Sequence, residues 1–138
     1  MLIGTYYHTL EAGGRVSLPK SFRQQAEKWV ITRGLDGGLF LFPAKDFQTR
    51  LQAISQTHEF TKKANRDFVR LMTNEAQQVS ADKSGRVKLP SYLTAYADLK
   101  KDLVVVGSLE YVELWDRNTY HKYLDELEKN AENIAEQL

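Results

Sequence analysis

Two stretches of this chain spell nearly the same unit. EAGGRVSLPKSF, from Glu11 to Phe22, returns as DKSGRVKLPSYL, from Asp82 to Leu93. An offset of 71 residues lays Gly14 on Gly85, Arg15 on Arg86, Val16 on Val87, Leu18 on Leu89 and Pro19 on Pro90. Self-similarity of this kind constrains a fold strongly, because both copies must build the same supersecondary unit. The likeness resumes at an offset of 73, where VITRGLDGGLFLFP (Val30 to Pro43) aligns with LVVVGSLEYVELWD (Leu103 to Asp116). Gly34 then falls on Gly107, Leu39 on Val112, Leu41 on Leu114 and Phe42 on Trp115.

Each copy reads as strand, tight turn, strand, short helix, strand, turn, strand. AGGR and KSGR place glycine where a hairpin needs positive φ. RVSLP and RVKLP alternate apolar and polar residues, so Val16 and Leu18 face one side while Arg15 and Ser17 face the other. Pro19 and Pro90 end a strand and open a helix, where the missing N–H is harmless. Phe22, Ala26 and Trp29 recur at helical spacing in the first copy, as do Leu93 and Tyr96 or Ala97 in the second. VITR and LVVV read as buried strands, and GLFLFP and YVELWD as closing strands.

A copy of about 40 residues is too small to hold a core alone. The expectation is an α+β protein whose two copies share one small, pseudo-symmetric β-barrel, with helices packed outside. The boundaries read as 1–47 for the first module, 48–73 for a helical connector, 74–120 for the second module and 121–138 for a C-terminal helix. Between the copies, Phe47, Leu51 and Ile54 share one helical face, HEFT (His58 to Thr61) breaks the helix, and Phe68, Leu71 and Met72 mark another. In the tail, Tyr120, Leu124, Leu127, Ala131, Ile134 and Leu138 follow an a/d stripe. Three heptads are marginal alone, so the stripe needs a surface, either its own subunit's or a neighbour's.

Chemistry narrows by exclusion. With no cysteine among 138 residues, disulfides, thiolate nucleophiles and sulfur-ligated zinc are ruled out. His8, His58 and His121 share no ligand spacing, so no metal or other cofactor is expected. No GxSxG elbow is present, and GLDGG (Gly34 to Gly38) lacks the lysine and spacing of a phosphate loop. An enzyme is not expected, nor a small-molecule substrate. No segment approaches the roughly 20 apolar residues that span a bilayer, and no basic, apolar leader opens the chain. The expectation is a cytoplasmic protein with no membrane partner.

Net charge is only +1, yet it is spread unevenly: +2 over residues 1–43, +3 over 44–73, −1 over 74–115 and −3 over 116–138. Global charge therefore steers nothing toward nucleic acid, and any such binding needs a local patch or several copies acting together. The repeated arginine supplies a candidate patch. Arg15 and Arg86 each follow a carboxylate, Glu11 or Asp82, by four residues across a glycine turn. An ion pair across the turn explains that spacing structurally, with Asp82 also able to bond the backbone two residues on. Exposed pairs contribute only about 0–1 kcal/mol, however, while a planar guanidinium at a hairpin tip suits phosphate oxygens or a guanine edge. Lys83 and Lys88 flank Arg86 in sequence, and Lys20 and Arg23 lie just beyond Arg15. Spacing alone leaves both readings open.

The paired units EAGGRVSLP and DKSGRVKLP resemble the D-x-x-x-R motifs of the MraZ family, bacterial proteins built from two SpoVT-AbrB modules. GTYYHTLEAGGRVSLP and VGSLEYVELWDRNTY are similar to it as well, and the resemblance spans about residues 1–125. It implies two AbrB-type β-hairpin modules forming a barrel. It also implies a nucleoid-associated transcriptional regulator that binds short direct repeats in double-stranded promoter DNA, upstream of the division and cell-wall gene cluster that begins with its own gene. The resemblance further implies a ring of identical subunits. Arg15 and Arg86 would touch DNA, with Lys20, Arg23, Lys83 and Lys88 on phosphates, while Glu11, Gly14, Asp82 and Gly85 would hold the turns. One departure stands out: Glu11 occupies an aspartate position and is followed by Gly13-Gly14 rather than Ser84-Gly85. Glutamate mimics an Asx-turn poorly and paired glycines loosen a loop, so the two copies are expected to contribute unequally, with Arg86 the better held. The rival expectations are an antitoxin-type protein-interaction module, whose tail covers a partner, and a ring scaffold without specific DNA binding.

Overall fold

The computed structural model describes residues 1–57 and 61–138. His58 and most of the expected HEFT break lie outside them, as does the side chain of Ile54. The elements run in chain order as β1 (Leu2–Thr9), β2 (Arg15–Ser17), α1 (Lys20–Arg23), β3 (Lys28–Arg33), β4 (Leu39–Pro43), α2 (Ala44–Thr57), α3 (Lys63–Asn74), β5 (Gln77–Ser80), β6 (Arg86–Lys88), α4 (Ser91–Tyr96), β7 (Asp102–Leu109), β8 (Val112–Asp116), α5 (Arg117–Lys129) and α6 (Ala131–Glu136). The strand and helix order read from the repeat is thus present in both copies.

Alternation in RVS and RVK turns Val16 and Val87 inward, and both are fully buried. Burying such a side chain contributes about 1.5–3 kcal/mol, and here the two valines bury each other. β2 pairs antiparallel with β6, setting Arg15 opposite Lys88, Val16 opposite Val87 and Ser17 opposite Arg86. The other strands form one sheet in the order β1-β7-β8-β4-β3-β5. Among the described residues the only strand ladders within a copy are the hairpins β3–β4 and β7–β8. Every other ladder joins the copies: β1 with β7, β5 with β3, β4 with β8 and β2 with β6. Neither copy could satisfy its backbone alone, which is why the two share one core.

That core gathers Trp29, Ile31, Leu41, Leu103 and Leu114 from the sheet with Val16, Val87, Leu18 and Leu89 from the motif strands. Phe22 of α1 and Leu93 of α4 close it at equivalent places. A smaller apolar cluster lies outside the sheet, where Tyr120 and Tyr123 of α5 cover Val104, Val106 and Trp115. Trp115 stacks on Tyr123 at 5.3 Å and meets Tyr120 edge-on at 5.6 Å. Phe42 meets Phe47 of α2 at 5.4 Å. At the 73-residue offset Phe42 maps to Trp115 and Phe47 to Tyr120, so the repeat extends into the helices that follow each closing strand. α3 is tied down by Thr32 Oγ1 donating to the Met72 carbonyl at 2.9 Å and by the Arg33–Glu75 ion pair at 2.8 Å. No helix among the described residues is long and apolar enough to cross a membrane.

Three local expectations are corrected. The helical spacing of Phe22, Ala26 and Trp29 is coincidental: α1 ends at Arg23, and Trp29 lies in β3, paired with Pro43 and Val79. The alignment of Gly34 with Gly107 is displaced by one, because Arg33 faces Leu39 across five turn residues whereas Gly107 faces Val112 across four. The tail is not one continuous stripe. It breaks at Asn130, and residues 128–138 are all exposed, with Ile134 and Leu138 among them.

Candidate nucleic-acid interface

The β2–β6 ribbon has an inner face of valine and an outer face of Arg15, Ser17, Arg86 and Lys88, by the same alternation. The two turns that precede these strands, residues 11–14 and 82–85, lie at opposite ends of the ribbon. Each is anchored to the other copy's strand end: Leu89 N–H donates to the Gly14 carbonyl at 2.8 Å, and Leu18 N–H to the Gly85 carbonyl at 3.0 Å.

The turns share a backbone scaffold but are closed differently. In the second, Asp82 Oδ1 accepts from the Ser84 and Arg86 amides, both at 2.9 Å, while Asp82 Oδ2 accepts from Arg86 Nε at 3.1 Å. These amide bonds, that from Arg86 foremost, hold the Asp82 carboxyl below the usual carboxylate range. Asp82's charge and then Glu11's hydrogen bond push the Arg86 guanidinium the other way, further up. In the first turn the Arg15 amide instead finds the Glu11 backbone carbonyl at 3.3 Å. The Glu11 carboxylate crosses to the other copy and accepts from Arg86 Nη1 at 3.3 Å. Two carboxylates thus converge on Arg86, one from each copy. Arg15 makes no ion pair or side-chain hydrogen bond among the described residues. The Nη1 end of its guanidinium lies over Gly13, where any side chain would collide with it.

The other basic residues also change neighbours. Lys88, two residues after Arg86 in sequence, sits directly across the ribbon from Arg15. Arg23, eight residues after Arg15 in sequence, donates from Nε to the Leu18 carbonyl at 3.0 Å and covers the second copy's turn. A Cβ on Gly85 would lie 2.5 Å from Arg23 Cζ, and Gly85 is buried for that reason. Gly85 also has φ +80°, a backbone conformation that disfavours other residues. Lys83 is exposed on the second turn and Lys20 is exposed at the start of α1. Among the described residues, one end of the ribbon therefore carries Arg15 and Lys88 with no carboxylate committed to them; the other carries Arg86, Lys83 and Arg23 against Asp82 and Glu11. Sequence reasoning missed this exchange. The signal was the shared alternation of RVS and RVK, which leaves Val16 and Val87 needing one another.

Among the described residues no group of three or more His, Asp or Glu side chains is placed to hold a metal ion. His8 is half-buried, its Nε2 has no partner, and burial holds its pKa down against the pull of Glu11's charge. His121 Nε2, on α5, lies 3.1 Å from the hydroxyl of Tyr7 in β1 and not on the ribbon.

Fold and site together define a class: a pair of interleaved β-hairpin modules presenting a cationic two-stranded ribbon. The match to known proteins is of the same kind. A family model described as "MraZ protein, putative antitoxin-like" matches twice, over residues 1–71 and 72–138, and the chain belongs to the MraZ family. It is 39% identical to the transcriptional regulator MraZ of Pediococcus pentosaceus, over all of this chain and 96% of that protein. It is 40% identical to the transcriptional regulator MraZ of Carboxydothermus hydrogenoformans, with the same coverage.

Proposed function

We propose that this protein is a DNA-binding transcriptional regulator that meets its operator through the β2–β6 ribbon. The single observation that carries the reading is the outer face of that ribbon: Arg15, Arg86 and Lys88 project from a two-stranded element whose other face is buried. A two-stranded ribbon fits the major groove, and arginine reads guanine there. The curated relatives, similar over the full chain, are transcriptional regulators by name. Arg15 and Arg86 make the base contacts, and Lys20, Arg23, Lys83 and Lys88 lie on phosphates. Residues 1–47 and 74–120 act as the two modules, joined by 48–73. The target is a set of short direct repeats upstream of the division and cell-wall cluster that begins with the protein's own gene. A ring of subunits engages it.

Multiplicity answers the small net charge. A subunit at +1 binds weakly, but linked heads gain roughly 10²–10⁴ in avidity when their spacing matches the repeats. The test is retention of the protein's own upstream DNA against a shuffled sequence, with light scattering giving the subunit count of the same sample. The wild type retains the upstream DNA and releases it as salt rises; the double variant R15A/R86A does not retain it, with its subunit count unchanged. Retention by the double variant equal to wild type refutes the assignment.

A second reading, protein capture by the tail, is favoured by the exposure of residues 128–138. Removing everything from Asn118 onward does not test it cleanly, because Tyr120 and Tyr123 cover Trp115. Removing residues 131–138 does. That truncation leaves DNA retention intact on the first reading and abolishes a protein ligand on the second.

A further inference from the structure

The two motif arginines are related by the repeat but not by their surroundings, and the residue that separates them is Glu11. We propose that Glu11 is a positioning residue that makes the two DNA contacts unequal. By reaching across the copy boundary to Arg86 it partly neutralises that arginine, and it leaves Arg15 as the dominant contact. This rests on the DNA-binding reading above.

The guanidinium has two fork edges, one formed by Nε and Nη2 and the other by Nη1 and Nη2, and a bidentate contact needs both nitrogens of one edge. In Arg86, Nε is bonded to Asp82 and Nη1 to Glu11. Each edge therefore shares a nitrogen with a carboxylate. A guanine edge presents two acceptors, O6 and N7, and a phosphate presents anionic oxygens; either meets a carboxylate oxygen beside it as it approaches Arg86. Arg15 carries no such burden. Among the described residues its fork is uncommitted, only its Nη1 end meets bare Gly13, and Lys88 stands opposite with no carboxylate bonded to either of them.

Glu11 is free to do this because its own turn does not need its side chain. The Arg15 amide is taken by the Glu11 backbone carbonyl, a role that falls to the Asp82 carboxylate in the other turn. With side-chain exposures of 41% for Glu11 and 32% for Arg86, the pair is a contact at the surface. It is weak enough to modulate binding rather than forbid it.

The experiment measures operator and shuffled-DNA affinities for wild type, R15A, R86A, E11Q and E11Q/R86A, with subunit count and thermal midpoint as controls. R15A is expected to weaken operator binding by about 5- to 150-fold per engaged head, the value of one bidentate guanine contact, and R86A by less than about fivefold. E11Q is expected to tighten binding by up to about fivefold, and only while Arg86 is present, so that E11Q/R86A binds no better than R86A. A loss for R86A equal to or larger than that for R15A overturns the proposal. So does an E11Q variant that binds no better than wild type, or a gain from E11Q that persists without Arg86, which marks general charge repulsion instead. Loss of binding in neither arginine variant and no preference for the operator in the wild type sinks the DNA reading itself; equal losses in the two arginine variants sink only the inequality.

Discussion

Residues 11–15 and 82–86 occupy the same place in two copies of one unit, and they solve the same geometric problem with different atoms. The second turn is closed by the Asp82 side chain, which accepts from two amides and from the arginine it precedes. The first is closed by backbone alone over two left-handed glycines, Gly13 at φ +78° and Gly14 at φ +76°. A carboxylate one methylene longer does not fold back onto its own turn, and here it is used elsewhere, on Arg86. Pseudo-symmetry in a fold thus constrains the buried groups tightly and the exposed ones hardly at all. Val16 and Val87 must match because each is the other's packing partner. Glu11 and Asp82 need not.

The largest expected effects sharpen that contrast from the symmetric side. Leu18→Ala and Leu89→Ala each remove a side chain only 3% exposed, and each should lower unfolding free energy by about 2–5 kcal/mol. Denaturant titration should place the two losses within about 1 kcal/mol of each other, and a larger gap would break the equivalence of the copies. Gly85→Ala comes next. Its positive φ alone should lose about 1–2 kcal/mol, and the displaced Arg23–Leu18 hydrogen bond about 0.5–1.5 kcal/mol more. Gly14→Ala should lose the first amount and a smaller steric addition, because the nearest atom to its Cβ is the Leu89 carbonyl at 3.3 Å, tight but without a hydrogen-bonded side chain to displace. Equal thermal shifts for the two would show that Arg23 contributes nothing at the second turn.

Smaller still is the effect of the carboxylates. Asp82→Ala should lower the thermal midpoint measurably more than Glu11→Ala, since three hydrogen bonds end on the first side chain and one on the second. The reverse order would undo the account of how the turns are closed. The pH dependence has the same asymmetry. Asp82 titrates below the ordinary carboxylate value of 3.8 in the folded protein. Its contribution is therefore complete above that value and is lost as pH falls through the lowered one. Acid titration followed at the Ser84 and Arg86 amides should show this loss in the wild type and not in Asp82→Asn, while the amides of Gly14 and Arg15 should stay unmoved by either.

Much of this was legible before any coordinates. The offset of 71 located both turns, the alternation in RVS and RVK chose the buried face, and the two prolines marked where α1 and α4 begin. Failures came where a local pattern met a tertiary competitor. Trp29 fits a helical period with Phe22, but as a large apolar side chain between β4 and β5 it is better buried in a strand. The tail carries a 3-4 apolar spacing, yet the surface at Trp115 and the valines beside it is covered by Tyr120 from that stripe and by Tyr123 from outside it. Beyond Asn130 the stripe lies exposed. The counterpart of Tyr120 in the first copy, Phe47, was readable at the 73-residue offset and marks the helix docking that both copies share.

The sequence by itself determined that one unit occurs twice, which face of each motif strand is buried, and that an arginine follows a carboxylate and a glycine at both turns. Only the tertiary structure decided the neighbours. Aligning two copies sets like residues side by side, whereas the antiparallel pairing of β2 with β6 turns one copy end for end. Lys88 therefore joins Arg15, Arg23 covers Gly85, and Glu11 bonds Arg86 rather than the arginine four residues after it. No spacing within either copy encodes these contacts, because they follow from burying Val16 against Val87.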